Sequence, residues 1–570
     1  MKTKILCLLL AMFAAMAMFV ACNGGEEQQG GGGGGTTVTP PADAPKYDIT
    51  WKKEESTLKI KYSTASQASE LISGCERYYA GEGAYFAEID DLIDDRNLYA
   101  ETAAGVTVQY DQFKSNEGWG ATAGLMVTEA SSGTNVTDIY YNFIYDVSGA
   151  QLNGCFANIK SDNYANGNHF EFNKPGYVYE SDNYFDSTVG KGYFYQYMQS
   201  LSLNNNKMYA VASDFCTDLV RSFLVIPVNV TLLEDIKPEE SWTGDMKQDI
   251  SEFYNLVWKK TNVNNAYSVG WTYDVLAHYS AKASKPDNTS DHVLAGTVGF
   301  AAGKTSGLVS SGLLYTVESV TIIDENVKAD GTKTPTYPET NTNLNTLVST
   351  FNSIFKKTGV VAVESGSDFS AIGDNEAKTE LQAIRNRFAG NKVLFGGVVA
   401  LGSLDEDVYQ NMMVDGGKGF GILPIPVYQS SDDYLTLVHN LAKVVAIAKN
   451  TTKFSQCSAY IDYLSQESDD VLDSYYNQYL VSKTGGKAAQ ANKDMLTYIR
   501  THVKDAFAKT VEDAIGIWKA NDADVTANKF HEILARSGFL LDDFTEKYAG
   551  IVGKKQGYLN EAVTAWNNHQ

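Results

Sequence analysis

Tyr145 and Asp146 close an aromatic-rich apolar stretch, Ile139–Ile144 (IYYNFI), and glycines follow at Gly149 and Gly154. A strand that ends in an aromatic ring and a carboxylate can hold a sugar. The ring covers the C–H face, and the carboxylate accepts hydroxyl protons. The same two residues can also serve structure, Tyr145 by packing and Asp146 by capping a helix from Val147 onward. Three more residues stand at comparable points. Asp214 ends the apolar segment KMYAVASD, Trp271 precedes a helical pattern in Gly-Trp-Thr, and Phe395 is the aromatic of the apolar run KVLFGGVVAL.

Other chemistry is thin. Asp90–Asp91 and Asp94–Asp95 could act as acid and base, but their spacing within EIDDLIDDRNLYAE puts them on the solvent face of an amphipathic helix. Gly299–Thr305 (GFAAGKT) has three residues between its glycines, where a phosphate loop needs four. The chain holds no HExxH, no G-x-S-x-G elbow and no zinc spacing. Its seven histidines are scattered. No metal, no cofactor and no enzymatic activity are expected, although a glycosidase built on two distant carboxylates is compatible with the sequence.

The elements that must position these residues alternate. Leu58–Tyr62 and Val106–Tyr110 read as strands about the helix at 89–99, and strand–helix–strand order predicts a parallel α/β sheet. Lys207–Asp214 and Ser222–Leu233 read as two further strands, and Lys392–Leu401 as a buried one. Leu344–Phe355 and Leu381–Phe388 have helical faces. Residues 162–189 read as a surface excursion. In Lys418–Thr451, a strand at Phe420–Leu423 is stopped by Pro424 and Pro426. A second apolar run, Val444–Ala448, leads to a helix from Phe454, with Asn450 and Thr451 as candidate caps. The remainder to residue 570 is helical in pattern.

The ends and composition set the compartment. Lys2 and Lys4 precede an apolar run, Ile5–Val20, too short to span a bilayer, so residues 1–21 read as a secretory signal. Asn23–Gly35 is almost all Gly, Glu and Gln, which cannot build a core and predicts an extended linker to about residue 46. The net charge is −23, and loss of Lys2 and Lys4 would take it to −25. That acidity argues against nucleic acid as a partner. Beyond Cys7 and Cys22, four cysteines (Cys75, Cys155, Cys216 and Cys457) are scattered without a CxxC pair, and pairing is left open.

Phe19–Cys22 (FVAC) resembles a bacterial lipobox, which implies lipidation of Cys22 and a membrane tether outside the cytoplasm. The order strand, Pro-x-Pro, crossing strand, helix in 418–464 resembles family 1 extracellular solute-binding proteins of bacterial ABC importers. DDRNLYAETAAGVTVQY, the Tyr145–Asp146 strand end and DMLTYIR (Asp494–Arg500) are similar to the clostridial-type, maltose-binding-protein-like members. The resemblance implies an α/β, two-lobe periplasmic-binding-protein-like fold (type II) with an interlobe hinge and a helical C-terminal region. By analogy, residues 47–213 and 390–435 form lobe 1, and 214–389 and 436–570 form lobe 2. It also implies capture of a carbohydrate-like solute by a monomer that delivers it to permease subunits. Tyr145, Asp146 and Phe395 would contact the ligand from one side, Asp214 near the hinge and Trp271 from the other. Phe395 is the sole aromatic where sugar-binding relatives carry several after the glycines. The alternatives are a surface glycan-binding lipoprotein without a transporter, or a secreted hydrolase.

Overall fold

The computed structural model describes residues 39–569 apart from 54–55, 64–86, 114–119, 135, 173–191, 237–252, 255–269, 305–312, 316–319, 365, 406–411, 413–418, 430–431, 433, 440–441, 477–488, 502, 504–506, 528 and 540–542. Cys22, the signal segment, Cys75, Trp242 and Trp258 lie outside the described residues.

Two mixed sheets carry the chain, as the α/β reading requires. The first is built from β1 (Thr57–Tyr62), β2 (Thr107–Gln112) and β3 (Ile139–Phe143). β1 lies between β2 and β3 and is parallel to both. Helices α1 (Ala87–Ala103), α2 (Ala121–Ser132) and α3 (Ile144–Gln151) connect and follow these strands. Helices on the sheet bury its strands, and every residue of β3 except the half-buried Phe143 is buried.

The chain then leaves for the second sheet. Residues 207–214, expected as a strand, make only isolated bridges, and the short α4 (Thr217–Arg221) follows. β4 (Leu224–Asn229) is fully buried, and Asn229 starts α5 (Val230–Ile236) by accepting the Leu232 N–H at 3.0 Å. Next come α6 (Tyr273–Ala283), β5 (Val298–Gly303), α7 (Thr342–Ile354), β6 (Val360–Val363), α8 (Glu380–Ala389), β7 (Val393–Phe395), β8 (Val399–Ala400) and β9 (Phe420–Leu423). The path of this sheet is β6-β5-β7-β4-β8, with β9 antiparallel on β4. Both glycines of the phosphate-loop lookalike, Gly299 and Gly303, lie in β5. A β-carbon on Gly299 would stand 2.0 Å from Ser280 Cα, so this glycine lets α6 lie close on the strand.

β10 (Lys443–Ile447) returns to the first sheet, antiparallel to β3 with Lys443 opposite Phe143. The helix after it, α9 (Phe454–Gln466), packs on α1. Thr451 accepts the Lys453 N–H at 3.1 Å, but the helix begins beyond it at Phe454, with Lys453 as an N-cap whose side chain does not cap the helix but reaches the Thr57 carbonyl and Asp138. The assignment of segments to the two halves therefore differs from the analogy. Strands within 390–435 join the second sheet, because β7 and β9 find partners on β4 and β5. Strand β10 and helix α9, expected with the second half, belong to the first sheet.

The helical tail passes between both halves. α10 (Ala489–Thr501) lies against β9, where Asn492 donates to the Phe420 carbonyl at 3.2 Å. α11 (Phe507–Trp518) packs on α3, α12 (Phe530–Gly538) on α7, and α13 (Phe544–Asn568) touches α7, α11 and α12. At the start of the folded body, the Tyr47 hydroxyl donates at 2.9 Å to Asp462 of α9. The Tyr193 hydroxyl donates at 2.5 Å to the other oxygen of the same fully buried carboxylate. Cys155, Cys216 and Cys457 are buried free thiols.

Candidate functional site

Two antiparallel segments carry the chain from one sheet to the other. Val211 pairs with Val445, exchanging N–H···O bonds of 2.7 and 2.9 Å, and Phe223 pairs with Val438. Leu224 N–H donates to the Leu437 carbonyl at 2.9 Å, and His439 N–H to the Ser222 carbonyl at 2.9 Å. At this crossing the two sheets are joined by backbone pairing between element-terminal residues.

Charged side chains are concentrated here and are buried. Lys443 Nζ lies 2.8 Å from Asp218 Oδ2, and both side chains are 1% exposed. The ammonium also sits 5.4 Å from the ring centre of Tyr141 and 5.8 Å from that of Phe143, within cation–π range. Arg221 is fully buried, its guanidinium 6.0 Å over the Tyr475 ring. Asp214 Oδ1 stands 3.9 Å from Arg500 Nε, and Asp214 Oδ2 accepts the Gly192 N–H at 2.9 Å. Burial, with the Lys509 charge adding to it, pushes the His439 imidazole down to about 3, so it is neutral at physiological pH.

The predicted residues are distributed unevenly around this crossing. Asp214 is part of it. Tyr145 is half-buried in the first turn of α3, just beyond β3, and its phenol is pushed up to about 12 by burial, then by the charges of Asp513 and Asp146. Asp146 sits in the first turn of α3 but caps another helix. Its Oδ1 accepts the Ala123 N–H of α2 at 3.2 Å. That satisfies an orphan donor of α2, whose N-cap is Gly120 with no side chain to offer. Burial still raises the carboxyl to about 6, the hydrogen bonds from Ala123 and Thr122 opposing it.

Trp271 and Phe395 meet each other instead of facing across a crevice. Their ring centres are 5.2 Å apart in the core of the second sheet, and both are fully buried. Trp271 Nε1–H donates to the Pro424 carbonyl at 2.8 Å, and its backbone N–H to the Tyr434 hydroxyl at 2.5 Å. The expectation that they contact a ligand from opposite sides is thus corrected. β7 pairs with β5 and β4, which puts Phe395 on the same sheet as the core that Trp271 fills.

Lys443, Arg221, His439 and Arg500 were not singled out from the sequence. A signal existed for one of them, since Lys443 heads a strand, KVVAI, whose every residue is buried, and a lysine there needs a partner.

α11 closes over this region. It brings Lys509, Thr510 and Asp513, all buried, toward α3 and the crossing, while the buried Glu512 meets Tyr337 and Lys555 of α13. Between α3 and α11 a cavity of about 10 Å³ is lined by Gln151, Leu203, Thr510 and Ala514, room for about one water. A separate open groove of about 410 Å³ follows the hydroxyl-bearing face of α7 and includes none of the predicted residues. Among the described residues no group of three His, Cys, Asp or Glu side chains is placed to hold a metal ion, and no helix is long and apolar enough to cross a membrane.

No protein-family model and no curated protein matches the chain. Solved structures with a similar chain course are of low identity. The galacto-N-biose-/lacto-N-biose I-binding protein of an ABC transporter from Bifidobacterium longum has a TM-score of 0.46 at 11% identity, over 90% of this chain and 98% of that one. The GacH receptor of Streptomyces glaucescens has a TM-score of 0.44 at 12% identity, over 90% and 100%. A family 1 extracellular solute-binding protein from Alicyclobacillus acidocaldarius has a TM-score of 0.44 at 10% identity, over 91% and 100%.

Proposed function

We propose that this chain is a non-enzymatic solute-binding protein that closes two lobes on a sugar or oligosaccharide and hands it to the permease subunits of an ABC importer. On this reading Cys22 carries acyl chains and residues 23–46 are the flexible linker that holds the body outside the cytoplasmic membrane. The first lobe is the β10-β3-β1-β2 sheet with its helices and the second is the sheet centred on β5, β7 and β4.

The observation that carries the reading is the crossing. Two antiparallel segments, 211–224 and 437–445, join two separate α/β sheets and are lined by buried, paired charges. Such a joint lets two bodies rotate while keeping their registers. A guest that touches both bodies favours the closed relation by the difference between its affinities for closed and open forms. Tyr145 and Asp214 remain the residues proposed to meet the solute, because both stand beside the crossing on the first-lobe side.

The test is thermal stabilisation of residues 47–570 against a panel of mono- and oligosaccharides, peptides and small metabolites. A true ligand at 100 times its Kd adds about 2.7 kcal/mol by mass action. A rise confined to saccharides supports the reading. A rise with peptides alone overturns the substrate class, and no rise with any member at millimolar concentration overturns capture.

A further inference from the structure

The two sheets are tied together at a place other than the crossing. The segment 199–209 belongs to the first-sheet side, for Ile159 N–H donates to the Met208 carbonyl at 2.9 Å and Val211 pairs with Val445 of β10. Two structures from elsewhere in the chain end on it.

One is a hairpin at residues 324–336, which precedes α7. Its arms bridge at Asp324 with Thr336 and at Val327 with Lys333. Thr332 bridges Asn204, the Asn205 N–H donates to the Gly331 carbonyl at 3.0 Å, and Asn206 Nδ2 to the Asp330 carbonyl at 2.5 Å. Lys333 reaches past the hairpin to the Gln199 carbonyl at 3.0 Å.

The other is α13, whose 25 residues span about 37 Å at 1.5 Å per residue. Its first half is fixed on the second-sheet side, where the Tyr548 hydroxyl donates to the Pro338 carbonyl at 2.6 Å and Gln556 accepts the Tyr337 N–H at 2.8 Å. Its far end is fixed on the first-sheet side. Trp566 is fully buried, edge-on to Tyr209 with ring centres 4.8 Å apart. Lys207 Nζ donates to the carbonyl of Asn567 at 2.9 Å and to that of His569, covering the last carbonyls of the helix with a cation. The His569 ring lies in the notch left by Gly154, where a β-carbon would stand 2.4 Å from Nδ1, and Nε2 is 2.9 Å from the Leu152 carbonyl.

We propose that hairpin 324–336 and the end of α13 form a latch on segment 199–209, which holds the two sheets together in the absence of solute and must release before a solute can enter or leave. The proposal rests on the two-lobe reading above and adds that the closed relation is built into the fold. The latch combines part-exposed hydrogen bonds of Asn206, Lys207 and His569 with the buried Asn204, Tyr209, Lys333 and Trp566, and none of these contacts belongs to a strand pair of either sheet, so it can open without unfolding either sheet. A crevice latched in this way exchanges its guest slowly, since release of the latch precedes each exchange.

The experiment measures distance, not binding. Spin labels are placed at Asp95→Cys on α1 and Lys356→Cys beyond α7, both exposed positions, with the unsubstituted chain as the control for labelling of native thiols. Distances are recorded by pulsed electron–electron resonance without added solute. The parent should give one distance, and Lys207→Ala/His569→Ala should add a longer population. Asn206→Ala/Lys333→Met, which removes the side-chain bonds between the hairpin and the segment and leaves Trp566 and α13 untouched, should do the same by freeing the hairpin. Identical distributions in the parent and both double variants, with unchanged circular dichroism, overturn the latch. A longer population in a chain that no saccharide stabilises keeps the latch and rejects the solute reading.

Discussion

Asp218 and Lys443 face each other at 2.8 Å from the two antiparallel segments of the crossing, each side chain 1% exposed. Charges this deep are stable only as a pair. Removal of one partner leaves the other buried and uncompensated, at a cost of about 3–5 kcal/mol, whereas replacing both with apolar groups is often neutral or stabilising. Lys443→Met and Asp218→Leu should each lower stability by about that amount, and the double variant should recover most of it. Urea unfolding of the four proteins checks this. Additive losses in the double variant would show that the pair does not act as a unit.

Gly149 and Ile517 make a similar test for the seat of α11. A β-carbon on Gly149 would come within 2.1 Å of Ile517 Cγ2, so the isoleucine occupies the space a larger residue would need. Gly149→Ala should destabilise by about 1–3 kcal/mol through overpacking. In the background of Ile517→Ala the same change should cost much less, giving a coupling of about 0.5–3 kcal/mol. A cost that does not depend on residue 517 would place α11 away from α3.

Two buried groups give opposite pH dependence. The Asp146 carboxyl is raised from 3.8 to about 6, so the folded state binds the proton more tightly. Its contribution is full below 3.8 and is lost as pH rises through about 6. His439 is lowered from 6.5 to about 3, and its contribution is full above 6.5 and is lost as pH falls through about 3. Asp146→Asn should therefore remove a fall in Tm between pH 4 and 6, while His439→Gln should remove a rise over pH 3 to 6.5. Scanning calorimetry across pH 3 to 8 reads both, and unchanged slopes in either variant count against the environment described for that residue.

Trp271 should behave as a core residue. Trp271→Ala should cost about 3–5 kcal/mol. Trp271→Phe should cost less but leave the Pro424 carbonyl without its donor, about 1–3 kcal/mol. Neither should change which solutes stabilise the protein. A Trp271→Phe variant with native stability and an altered ligand profile would restore Trp271 to the binding surface.

Much of the fold was legible because its signals are local. LKIKY and IYYNF read as strands from alternation and apolar runs, and β1 and β3 lie where these patterns place them. Pro424 and Pro426 ended β9 as their missing N–H groups require. Pairing partners were less legible. KVLFGGVVAL reads as a buried strand wherever it lies, and nothing within it specifies β5 and β4 as neighbours over the first sheet. For the same reason Phe395 was assigned to the wrong side. Asp146 was recognised as a possible cap, but the helix it serves is α2, earlier in the chain, a choice that only the tertiary packing makes. The charges of the crossing come from residues 214 to 509, and no spacing rule connects them.

The anchoring of Tyr47 to Asp462 has a mechanical meaning. The carboxylate that receives it also holds Tyr193, and it belongs to a helix packed on α1. A tug delivered along the preceding residues would be spread at once over three distant parts of the first sheet's surroundings. No strand of the first sheet would be peeled from its edge by such a pull.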